Sequence, residues 1–117
     1  MRVPRRKLHL AWALLAAAFG SGVHAAGGTS ALPWHTRGEV LEYQACGCAD
    51  ACWVAQVRSV RTKALKARLR CDCERLFYRP GPREPERVVS QRCEPNDSSD
   101  KPQAISQTLE RLLVTAR

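Results

Sequence analysis

The sequence predicts an α+β domain: a small antiparallel β-meander of three or four strands, stapled by disulfides and covered by a C-terminal amphipathic helix. Three observations carry that expectation. Residues 64–73 alternate strictly, with Leu65, Ala67, Leu69, Cys71 and Cys73 on one side and Lys66, Arg68, Arg70 and Asp72 on the other. Such a period of two marks a strand with one wet face. In the tail the period changes, and Ile105, Leu109, Leu112, Leu113 and Ala116 share one face of a helix over 102–116. Finally, the six cysteines Cys46, Cys48, Cys52, Cys71, Cys73 and Cys93 all follow a segment that reads as an export signal.

That segment is residues 1–25. Arg2, Arg5, Arg6 and Lys7 precede an apolar run from Leu8 to Phe19, and Val23-His24-Ala25 presents small residues where a signal peptidase cuts. The run is 12 residues long, short of the ~20 that a spanning helix needs. The product is therefore expected not to be transmembrane after cleavage, and to be periplasmic or secreted. An even cysteine count in a short exported chain points to a disulfide framework.

Cleavage leaves 92 residues, one small domain. At that size the core is thin, and cross-links of ~2–4 kcal/mol each are large against net stability. The remaining charge is 15 basic against 11 acidic residues, a net of +4. It is concentrated over residues 58–92, where 11 Lys and Arg face four acidic residues.

Residues 26–38 are small and Gly-containing and read as a flexible N-terminal segment, with the single domain running from 39 to 117. Glu39 to Ala45 alternates as a half-buried strand, Leu41, Tyr43 and Ala45 opposing Glu42 and Gln44. CGCADAC at 46–52 makes a tight loop. Cys52 to Val60 is the second strand, with Trp53, Ala55 and Val57 on one face and Val54 and Gln56 on the other. Arg61-Thr62-Lys63 turns the chain into the third strand at 64–73, and Leu76 to Tyr78 adds a short fourth. RPGPREPER at 79–87 carries three prolines and reads as an exposed loop. Val88-Val89 could form a brief edge strand before the polar loop 94–100. Pro102 suits a first helical turn, and Ser99 or Asp100 a cap.

In such a meander five of the cysteines converge at one rim. We expect Cys52 to bond with Cys71 or Cys73, and Cys93 to tie the late segment to the cluster. A thiolate metal site is the alternative use of CGC and CDC, but zinc spacing fits only Cys48 to Cys52. Redox catalysis at Cys46-Gly47-Cys48 is a third, although the CxxC spacing is absent.

The sequence offers no catalytic constellation and implies no cofactor. GxSxG and phosphate-cradling glycine loops are missing, and Glu39 and Glu42 point to opposite faces of their strand. His35 is the single histidine after residue 25 and has no placed partner. What remains is a basic face of Lys66, Arg68 and Arg70, with Arg58 beside them and Arg61 and Lys63 at the turn. It suits an anionic partner, an envelope protein or an anionic polymer. Nucleic acid is not expected, because no aromatic residues interleave with those cations. The competing reading is a solvated face kept from edge pairing by its charge.

Overall fold

A computed structural model describes residues 28–115; the segment 1–25 read as an export signal lies outside the described residues. The described residues form one six-stranded antiparallel sheet in strict sequence order, β1 Thr29–Leu32, β2 Glu39–Gly47, β3 Cys52–Ser59, β4 Leu65–Asp72, β5 Leu76–Arg79 and β6 Arg87–Ser90. A 3-10 turn at Glu94–Asp97 leads into α1, Lys101–Thr115. The α+β meander with its C-terminal helix is as expected, but the sheet has six strands rather than three or four.

Beyond those four stand β6, at the edge position that Val88-Val89 offered, and β1, in the segment read as flexible. Thr29 to Leu32 pairs with Gln44 to Leu41 along the outer edge of β2. The four residues Thr-Ser-Ala-Leu give no alternation to read, and the bare edge of the nine-residue β2 recruits them. Two contacts then fix the chain beyond β1. Trp34 Nε1 donates to Glu39 Oε1 at 2.9 Å, and Ser106 Oγ of α1 donates to the Pro33 carbonyl at 2.6 Å.

The alternation sorts the sheet into two faces. Leu41, Trp53, Ala55, Val57, Ala67, Leu69, Cys71, Leu76 and Tyr78 are buried on the inner face, beneath Ile105 and Leu109 of α1. Leu112 and Leu113 pack at the margin. A lone sheet of this size is marginal, and the helix supplies the second layer. Asp100 caps the helix as expected, its Oδ1 accepting from the Gln103 amide at 3.2 Å. Lys101 anchors the same end, its Nζ 5.4 Å from the Tyr43 ring centroid and 5.9 Å from that of Trp53. Asn96 joins the layers: its Oδ1 accepts from Trp53 Nε1 at 2.7 Å while its Nδ2 donates to the Ala51 carbonyl at 3.2 Å.

All six cysteines pair, but not as expected at Cys52. The bridges are Cys46–Cys52, Cys48–Cys73 and Cys71–Cys93, with Cα separations of 5.0, 6.1 and 6.0 Å. Cys52 is opposite Asp72, whereas Cys71 is opposite Trp53 on the inner face. Residues directly opposed share a face, so Cys52 and Cys71 point away from each other and cannot bond. Cys46 reaches Cys52 because β2 bulges between Ala45 and Gly47. The following loop holds Cys48, Ala49 and Asp50 at φ of 55°, 52° and 77°, a left-handed run that the bridges on both flanks constrain. Cys93 ties the late segment to the sheet as expected, and that bridge is buried.

Candidate binding face

The outer face of the sheet carries the polar members of each alternation. Two rows cross the strands at right angles. One runs Glu42, Gln56, Arg68, Arg79 and the next runs Thr29, Gln44, Val54, Arg70, Phe77, each residue directly opposite its neighbour. Much of this face is half-buried, and Arg70, opposite Val54, sits 4.2 Å over the Phe77 ring.

The four residues singled out by sequence fall on this face in different states. Arg70 is committed: its Nε and Nη2 donate to the two Glu86 oxygens at 3.1 and 2.7 Å. That fork raises the Arg70 pKa and holds the Glu86 carboxyl below its ordinary range, through the hydrogen bond first and the charges of Arg70, Arg68 and Arg79 after it. Arg58 is committed too, 3.3 Å from Glu42, bonded to Gln56 Oε1 and donating to the Lys63 carbonyl at 3.0 Å. Lys66 stands at a bulge between the pairs Val57–Ala67 and Arg58–Leu65, exposed at the end of the array. Arg61 and Lys63 are exposed at the turn, where Lys63 takes the left-handed φ of 68° that a hairpin glycine would otherwise supply.

Arg68 differs from all of these. It enters no ion pair among the described residues, and its buried Nε has no hydrogen-bond partner there. It also lies directly across from Arg79, a like-charge pairing that costs stability. Arg79 is itself turned aside, donating from Nε to the Glu84 carbonyl at 3.0 Å and from Nη2 to the Pro82 carbonyl at 2.7 Å. Three guanidinium groups thus surround one carboxylate, Glu86, and the middle one has spare capacity for an anion.

Sequence reasoning missed the other half of this face. Thr29, Glu42, Gln44, Val54, Gln56 and Arg58 line a cavity of about 180 Å3 where β1, β2 and β3 meet. Gln44 and Gln56 had already sorted to the polar side by alternation, which was the available signal; the missing piece was β1. A second depression of about 480 Å3 lies on the helix side, between α1 and β5–β6, against Leu76, Val89, Thr108 and Leu112.

The metal and redox alternatives find no thiolate here, since every cysteine is in a disulfide and Cys46 does not bond to Cys48. Among the described residues no cluster of His, Cys, Asp and Glu is suited to a metal ion, and none of their helices is long and apolar enough to cross a membrane. His35 is exposed, apart from the outer-face array. No family model, curated protein or solved structure matches this chain.

Proposed function

We propose that the protein is a small exported binding module, periplasmic or secreted, that captures an anionic partner on the outer face of its sheet and catalyses no reaction. Three disulfides in a chain this short fit an oxidising compartment, in line with the signal-like first 25 residues. One observation carries the choice of surface: Arg68, unpaired, is placed opposite Arg79 and next to Arg70 in the centre of the sheet. A purely solubilising face has no need of a cost of this kind at a half-buried position. A bound anion between Arg68 and Lys66 removes it.

The test uses Lys66→Glu with Arg68→Glu, since neither side chain makes an ion pair among the described residues. Binding of fluorescent polyglutamate and polygalacturonate is measured by anisotropy at low salt, with thermal unfolding checking the fold. The expected result is measurable wild-type affinity for at least one polyanion, weakened at least tenfold in the variant. Equal affinity in the two proteins, or none in the wild type, overturns the reading.

A further inference from the structure

The outer face is chemically divided, and the division runs across the strands. At the β4–β5 end it presents guanidinium groups, Arg68, Arg70 and Arg79, with the Phe77 ring beneath Arg70. At the β1–β3 end the Thr29 hydroxyl and the Gln44 and Gln56 amides stand around a cavity of about 180 Å3, where the charges of Glu42 and Arg58 are paired with each other at 3.3 Å. Gln44 makes no side-chain hydrogen bond among the described residues. Gln56 uses only its Oε1, accepting from Arg58, which leaves its NH2 as a free donor. From β2 to β4 is two strand spacings, ~10 Å, the scale of a disaccharide.

A ligand matched to both halves carries hydroxyl groups and, about one disaccharide away, a negative charge. We propose that the partner is an acidic polysaccharide, a glycan bearing carboxylates, with its hydroxyls in the Thr29–Gln44–Gln56 cavity and a carboxylate on Arg68. This rests on the anion-binding reading above and adds the sugar to it. A carboxylate suits the site because Glu86 already shows one in a two-pronged contact with the neighbouring Arg70. Amides beside a hydroxyl pair with sugar hydroxyls, each of which donates and accepts at once, and a poly-acidic peptide carries no hydroxyls to fill that role.

The experiment compares three probes with the full fold: polygalacturonate, which has sugar and charge; polyglutamate, which has charge alone; and dextran, which has sugar alone. Wild-type protein is expected to bind polygalacturonate at least tenfold more tightly than polyglutamate, and dextran not at all. Gln44→Ala with Gln56→Ala is expected to weaken polygalacturonate by about five-fold per lost hydrogen bond and to leave polyglutamate unchanged. Arg68→Glu is expected to weaken both polyanions. If polyglutamate binds as well as polygalacturonate and Arg68→Glu weakens both, the sugar assignment is overturned and anion binding stands. If Arg68→Glu changes neither, both fail.

Discussion

Removing the disulfides one at a time tests the wiring of this domain, because loop length and burial predict unequal losses. Cys71–Cys93 spans 22 residues and Cys46–Cys52 spans 6. The chain-entropy relation then gives ~3.4 kcal/mol for the first and ~2.2 kcal/mol for the second. Burial widens the gap. Cys71 is fully buried and Cys93 is 6% exposed, so truncating both to alanine also leaves voids worth ~1 kcal/mol or more, whereas Cys46 is exposed. Urea unfolding of C71A/C93A and of C46A/C52A is therefore expected to show losses of ~4–5 and ~2 kcal/mol. Both proteins should be free of titratable thiol, because each removes a bonded pair. C52A/C71A, by contrast, orphans Cys46 and Cys93 and should titrate as two thiols. A larger loss from C46A/C52A than from C71A/C93A refutes the energetic reasoning, and a thiol-free C52A/C71A refutes the pairing.

Other expectations follow from buried polar groups and carboxylates. Tyr78 is fully buried and its hydroxyl has no hydrogen-bond partner among the described residues, so Tyr78→Phe should raise urea stability by ~1 kcal/mol. Asn96→Ala leaves the buried Trp53 N–H without an acceptor and should cost ~2 kcal/mol by the same measurement. Glu86 is held below its ordinary range by Arg70, and Asp72 by the Arg75 and Glu74 amides, so the folded chain binds these protons less readily than the unfolded one. Their contribution is complete above ~pH 5 and is lost as pH falls through the folded values. Glu86→Gln should flatten that decline in a pH series of thermal unfolding, and an unchanged slope counts against the Arg70–Glu86 assignment.

The sequence made some of this legible and hid the rest for identifiable reasons. Period-two patterning gave β2 to β5 because one sheet face is covered and the other wet, and the helix announced itself by its change of period. The same alternation already forbade Cys52 from meeting Cys71. With Trp53, Ala55 and Val57 assigned inward, Cys52 must point outward while Cys71 points in with Leu69. The bridge from Cys46 to Cys52 was not legible, because it depends on the bulge at Ala45 to Gly47. Thr29 to Leu32 carries no pattern of its own and becomes a strand only through the edge of β2. The cation face was readable as a list of residues but not as a site. Glu86 reaches Arg70 from a proline loop whose path is set by Arg79 gripping the carbonyls of Pro82 and Glu84. That tertiary detail decides that Arg68, and not Arg70, is the unclaimed guanidinium.

The most direct measurement is an amide-resolved NMR titration of the oxidised protein with a short oligogalacturonate. Saturable shifts are expected at Thr29, Gln44, Gln56, Arg68 and Arg70, tracing one side of the sheet from its first strand to its fourth. Shifts gathered instead around Leu76, Val89, Thr108 and Leu112 beside the helix, or no shifts at any concentration, contradict this expectation.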